Sequence, residues 1–266
     1  MDNTEIKWLI ALSLVAAAAV AAWFFWDGTK APPVAPAAVE QQAPVTEPAE
    51  QLHPLEPLEL TPAEGELVEL PPLAESDSYF ALALIDVFGA GLETLLADEA
   101  LIDKTVATAD NLTRDRIAEK IRPLGRLSGN FVVSAAGDTG PFYLSAGNYD
   151  RYKPLVNMLT DADPDAVVST YRRFYPLFQE AYAQLGYPDA FFNDRVVAVI
   201  DHLLATPQPE EPIRLVQPNV LYEFADPRLE ALSSGQKLLL RMGPENAARI
   251  KETLADLRMR IAQPAR

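Results

Sequence analysis

The chain predicts a mainly α protein: a helical domain with one small β-hairpin element, preceded by a single transmembrane helix and a disordered linker. Three observations carry that reading. Residues 8–26 hold no charge, proline or glycine. Residues 27–77 hold ten prolines and eleven acids against one base. From residue 78 onward, apolar residues recur at helical spacing between capping residues and proline or glycine stops, the pattern of amphipathic helices. The divisions are therefore 1–7 for a short tail, 8–26 for the span, 27–77 for the linker and 78–266 for the domain.

The apolar stretch WLIALSLVAAAAVAAWFFW would make a helix about 28 Å long, close to the roughly 30 Å hydrocarbon core of a bilayer. Trp8 at one end and Trp23 and Trp26 at the other stand where amphipathic rings favour the headgroup level. A secretory signal begins with a basic region, whereas this chain begins with Asp2, Glu5 and Lys7. Cleavage after Ala19-Val20-Ala21 would leave Trp23-Phe24-Phe25-Trp26 in water. An uncleaved anchor is the expectation. Lys7 and the terminal amine precede the span and only Lys30 follows it before Lys104, so the positive-inside rule keeps residues 1–7 cytoplasmic and sends the bulk across.

The linker holds −10 of the chain's −16 net charge and residues 78–266 only −5. The acidity is thus a property of the linker and argues for no basic partner of the domain. Prolines at this density exclude helix interiors and sheet ladders. Fully extended as a polyproline helix the 51 residues would reach about 160 Å, and as a flexible coil about 40 Å. Leu52, Leu55, Leu58, Leu60, Leu67 and Leu70 interrupt the polar tract. They read as incidental leucines of a solvated spacer, with short docking motifs as the alternative. His53 stands alone there and is not expected to be a ligand.

Within the domain, Ser76-Asp77-Ser78 supplies caps for a helix near 78–88. A second helix is predicted from about Asp98 to Ala109, with Leu101, Ile102, Val106 and Ala109 on one face, and a third from Thr113 to just before Pro123. Phe131–Ser134 and Phe142–Ser145, joined by Gly137-Asp138-Thr139-Gly140-Pro141, read as the hairpin. Asn148 caps a predicted helix from Tyr149 to Leu159. Asp163-Pro164 opens the next, which runs to Gly186 with a kink or break expected at Pro176. Asp189 opens a helix to about Ala205, and an extended run follows over Ile213–Phe224, broken at Pro218. Asp226-Pro227 and Gly243-Pro244 open the last two helices. The final one places Ile250, Leu254, Leu257 and Ile261 on one face, with Glu245/Arg249 and Asp256/Arg260 as i,i+4 pairs.

The residues exclude several chemistries. The chain has no cysteine, hence no thiol nucleophile and no thiolate metal site. His202 is the one domain histidine, and a triad on it would need a serine and a carboxylate beside it. Asp201 is its chain neighbour and diverges from it on a helix. No phosphate loop, nucleophile elbow or zinc-helix motif is present. No catalytic residue, metal or cofactor is assigned. Asn193-Asp194-Arg195, with Asp201 and His202 one heptad on, is the best polar constellation. Asp194, Asp201 and Glu180 are the acids an envelope hydrolase would use. The second constellation is basic: Arg114, Arg116, Lys120, Arg122 and Arg126, then Arg151, Lys153, Arg172 and Arg173 among Tyr149, Tyr152, Tyr171 and Tyr175. Arginine with tyrosine suits anionic or carbohydrate-like surfaces. The candidate binding surface is therefore Arg114, Arg116, Arg122, Tyr171, Arg172, Arg173, Asn193, Asp194 and Arg195. Nucleic acid is excluded as a partner of a net-negative domain.

YPLFQEAYAQLGYPDAFFNDR and PIRLVQPNVLYEFADPRLEALSSGQKLLLRMGPENAARIKETL resemble an uncharacterised bacterial family, a domain of unknown function on single-span, proline-tethered envelope proteins. The likeness runs from about Pro71 to Ala262. It implies the same layout in the bacterial envelope and no activity, cofactor or site residue; with the orientation argued from the flanking charges, the expectation is a single-pass inner-membrane protein with a periplasmic C-terminal domain. The expected function is a membrane-anchored binding or scaffold module of the cell envelope, meeting an envelope protein or an anionic cell-wall partner. The alternative is the carboxylate hydrolase.

Overall fold

A computed structural model describes residues 50–55, 70–135 and 140–262. The expected tail 1–7 and span 8–26 lie outside them. Among the described residues no helix is long and apolar enough to cross a membrane. Among the described residues, eight α-helices and four short strands follow a 3-10 turn at Leu73–Glu75. The helices are α1 (Asp77–Phe88), α2 (Leu101–Asn111), α3 (Gly147–Thr160), α4 (Pro164–Gln184), α5 (Phe192–Leu204), α6 (Pro227–Glu230), α7 (Ser234–Met242) and α8 (Pro244–Ile261). The strands are β1 (Val133–Ala135), β2 (Phe142–Leu144), β3 (Arg214–Val216) and β4 (Glu223–Phe224). The mainly helical expectation holds.

Two stretches of the expected linker lie on the domain. Leu73 is buried in the core cluster with Phe80, and Leu70 packs against the same cluster. Glu50–Leu55 lies across the domain elsewhere, with Leu55 packed on Val168, Val197, Ile200 and Ile261. The incidental-leucine reading is thereby corrected for Leu55 and Leu70, which bury apolar surface on their own chain. Leu58, Leu60 and Leu67 lie outside the described residues.

The helix starts show why this sequence folds here. Asp77 does not cap its own helix. Its carboxylate instead accepts the N–H groups of Ala100 and Leu101, each at 2.6 Å, and satisfies two orphan donors at the start of α2. Asp163 and Asp226 cap α4 and α6 through Asp165 N (3.0 Å) and Arg228 N (2.9 Å), each with proline at the first helical position. Ser233 and Gln236 form a capping box on α7, a start signal the sequence reading passed over. α4 continues through Pro176 to Gln184, so the proline does not end the helix.

The helix predicted over 113–122 does not form; a single 3-10 turn, Glu119–Ile121, stands there. Tertiary bonds take its backbone. The carbonyls of Leu112 and Arg114 accept the Gly235 and Ser234 N–H groups at the start of α7, at 3.0 and 2.7 Å. The hairpin is confirmed as β1–β2, with Ser134 opposite Tyr143. It belongs, however, to a four-stranded antiparallel sheet of order β1-β2-β3-β4, because the extended run broken at Pro218 folds into a second hairpin. Asn148 lies inside α3, and its amide is spent on Val132 N and O rather than on a cap. In α8 the Asp256–Arg260 pair forms at 2.8 Å. Arg249 instead reaches across to Asn157, Thr160 and Asp161, and Glu245 is not its partner.

Four buried clusters fill the interior, and α5 serves three of them. Phe192 joins Phe80, Ile102, Phe174 and Phe178. Val199 and Leu203 join Tyr152, Val156, Leu239 and Met242. Val197 and Ile200 join Val168 and Ile261. The sheet packs its Leu144, Leu215 and Phe224 on Leu240 of α7.

The α7–α8 corner turns on Gly243, whose φ of +86° and missing side chain are both required. A Cβ there would sit 2.5 Å from the Tyr149 ring. Gly243→Ala is therefore expected to destabilise the domain by about 2–4 kcal/mol, the size of a combined φ and overpacking penalty. A thermal melt that leaves the midpoint unchanged would show the corner to be soft.

Candidate functional site

The first turn of α5 carries three consecutive polar residues, and each ties down a different remote segment. Asn193 is fully buried. Its Nδ2 donates to the carbonyls of His53 (2.7 Å) and Ile261 (3.0 Å), and its Oδ1 accepts from Tyr171 Oη at 3.1 Å. Asp194 accepts two consecutive backbone N–H groups, Leu52 on Oδ2 at 3.0 Å and His53 on Oδ1 at 2.7 Å. Arg195 donates to Asp110 Oδ1 (2.8 Å), Asp110 O (2.6 Å) and Thr113 Oγ1 (2.7 Å). Gln179 completes the turn by accepting Phe192 N–H at 2.9 Å. The carboxylate of Asp194 also lies at the positive end of the α5 dipole. Burial pushes the Tyr171 phenol well above its usual range, so it acts as a neutral donor.

Asp110 is the residue the sequence reading missed. It is 3 % exposed and also accepts from Arg114 Nη2 at 2.9 Å. The signal was present: Ile102, Val106 and Asp110 stand four apart, which puts an acid on the buried stripe of α2. Arg114 further donates to Tyr187 Oη at 3.1 Å. The structure thus gathers Arg114, Tyr171, Asn193, Asp194 and Arg195 around the start of α5. The other predicted surface residues do not bond to that site among the described residues. Arg116 is exposed. Arg122 donates to Ile117 O at 3.1 Å. Arg173 lies 5.7 Å over the Phe174 ring, and the Nε of Arg172 is buried without a partner.

The three acids of the hydrolase reading do not converge. Asp194 holds the 50–55 strap. Asp201 holds Arg258 through two hydrogen bonds, which keep its carboxyl below the ordinary value of 3.8. That contribution is present above 3.8 and fades as pH falls through the lowered value. Glu180 is exposed and accepts from Gln184 at 3.1 Å. A serine does meet the lone histidine: His202 Nε2 lies 2.9 Å from Ser233 Oγ. That hydroxyl is buried and also accepts Gln236 N–H as a helix cap, while the neighbouring Asp201 is committed to Arg258. The pair is a structural contact.

An open groove of about 540 Å³ lies between the end of α1, the α3–α4 turn and α8. Phe88, Leu159, Val167, Ile250, Leu254 and Leu257 form its apolar lining, with Asp161, Arg249 and Glu252 beside them. None of the predicted site residues lines it. Leu254 and Leu257 also border the cluster that receives Leu55.

The strap is held by nearly balanced terms. Two hydrogen bonds to a carboxylate, one to an amide and the burial of Leu55 supply about 6–9 kcal/mol. Ordering six residues costs about 6–12 kcal/mol. The strap therefore opens more readily than the helices beneath it.

A model of a family described as "Protein of unknown function (DUF3014)" matches residues 101–258. The chain belongs to that family. The match runs from the start of α2 into α8 and so includes Asp110 and the start of α5, while the strap and α1 precede it. It confirms the resemblance to a domain of unknown function and carries nothing about a membrane span, a tether or the envelope. No curated protein and no solved structure matches the chain.

Asp110→Asn is expected to cost about 2–4 kcal/mol, because it leaves a half-buried arginine short of its counter-charge. The melting midpoint should fall by roughly 5–15 °C. Glu119→Ala, which breaks only the exposed pair with Arg126, should leave it where it was. Equal midpoints for the two variants would show that the Asp110 centre is not a structural core.

Proposed function

We propose that this member of the family is a membrane-anchored binding or scaffold module of the bacterial cell envelope. Residues 8–26 are its single span, residues 1–7 its cytoplasmic tail, and the helical domain stands in the periplasm. The observation that carries the reading is how the site acids are used: Asp194 grips polypeptide backbone, Asp201 an arginine and Glu180 a glutamine. A site that spends its carboxylate on two backbone N–H groups is a site for holding chain. The hydropathy and terminal tryptophans of 8–26 support the anchor, and the charges flanking it support the orientation.

Docking of the strap shortens the leash. Between the end of the span and Glu50 stand 23 residues, 27–49, in place of the 51 first assigned. That stretch would reach about 70 Å fully extended and nearer 26 Å as a coil. Arg116, Arg122 and Arg173 are exposed and supply cations to an anionic cell-wall or protein partner.

Two measurements test the proposal. A reporter that is active only outside the cytoplasm, fused after Arg266, should be active. Inactivity would place the domain on the cytoplasmic side and remove the envelope partner. Pulldown from solubilised membranes should recover a stoichiometric partner with the wild-type domain, and severalfold less with Arg172→Ala/Arg173→Ala. No recovery with either chain would overturn the binding role.

A further inference from the structure

We infer that residues 51–55 are a detachable peptide ligand of their own domain, and that the start of α5 is a recognition site for a bent segment that ends in Pro-Leu. The inference rests on the binding-module reading and narrows it to a ligand class.

The contacts divide as they do in peptide-binding sites. Backbone groups supply the polar contacts: Leu52 N and His53 N on the two oxygens of Asp194, and His53 O on Asn193 Nδ2. The side chain that supplies selectivity is Leu55, partly buried against the apolar cluster of Val168, Val197, Ile200 and Ile261. Pro54 has no N–H to lose, and the chain bends at Leu52 and His53 so that their consecutive N–H groups face one carboxylate. Leu52 points away, 68 % exposed, so the site reads the second leucine and the backbone before it.

Much of the site is made by residues outside the strap. Asn193 also bonds Ile261 O and Tyr171 Oη, and the buried residues under Leu55 belong to α4, α5 and α8. The spacing Leu-x-Pro-Leu recurs at Leu70-Pro71-Pro72-Leu73, where Leu73 is buried and Leu70 packs on the core. The two copies are received differently: Leu55 alone packs at the first, whereas Leu70 and Leu73 both pack at the second, on another cluster. Covalent attachment gives the strap an effective concentration of order millimolar. A segment of the same chemistry offered from outside must outcompete it, so the strap sets a threshold for occupancy and its release lengthens the leash.

The test uses the full chain in detergent and a fluorescein-labelled peptide of residues 49–56. Leu55→Ser in the chain vacates the site. The peptide should bind this variant saturably and at least tenfold more tightly than it binds the wild-type chain. The same peptide carrying Leu55→Ser should lose at least tenfold, a control that leaves the domain untouched. Asp194→Ala in the vacated chain should abolish binding at an unchanged helical content. Hydrogen exchange at Leu52 and His53 should be much faster than along α5. Absence of saturable binding to the vacated chain overturns the inference, as does equal binding to wild type and variant, or to both peptides. A membrane partner recovered by pulldown while the peptide fails to bind would overturn the peptide site and leave the module reading standing.

Discussion

A side chain amide with no access to water governs this fold. An unpartnered buried amide is costly, about 1–3 kcal/mol for each group left unmade, so Asn193 must find partners, and it finds them on three separate parts of the chain. A tyrosine of α4 donates to its oxygen, and its nitrogen reaches the strap and the last turn of α8. The residues on either side extend the same logic. Asp194 fixes the strap more firmly, and Arg195 reaches the buried acid of α2. With three of the four apolar clusters also bearing on α5, the polar first turn sets how the helices meet, and the apolar remainder holds them there.

This arrangement explains why a polar constellation that looks catalytic in a linear reading is structural in three dimensions. Acids on one helix face can serve acid–base chemistry only when they line a common cleft and retain a proton to exchange. Here each is held by a donor of a different segment. The Ser233–His202 contact follows the same rule, since the hydroxyl is committed to a helix cap. Arginine and tyrosine residues divide likewise. Arg114 and Tyr171 are absorbed into the α5 site, and Tyr149 is bound to Glu211. Arg116 and Arg173 stay at the surface.

Much of the architecture is legible in the chain because its helices open on local chemistry. Asp163-Pro164 and Asp226-Pro227 each place a cap and a preset φ side by side, and both open helices. The face Ile250, Leu254, Leu257, Ile261 packs as its spacing predicts. Failures cluster where distant segments decide. Residues 113–118 have helical composition, yet α7 takes the backbone carbonyls a helix would need. The extended run at 213–224 reads as one broken strand until β2 pairs with it. Asn193, Asp194 and Arg195 stand out as a group in the sequence, but their partners Asp110, Leu52, His53 and Ile261 lie between 68 and 142 positions away, beyond any local pattern. The strap was misread for a compositional reason: proline and glutamate signal a spacer, and two well-placed leucines barely alter that average.

One amide bridging His53 and Ile261 also brings the two ends of the folded body to a single spot. Tension drawn between those ends would run directly into this joint and shear it, and the helical core would carry little of the load. A cargo fused behind α8 would likewise sit beside the strap, well placed to jostle it or to report when it lets go.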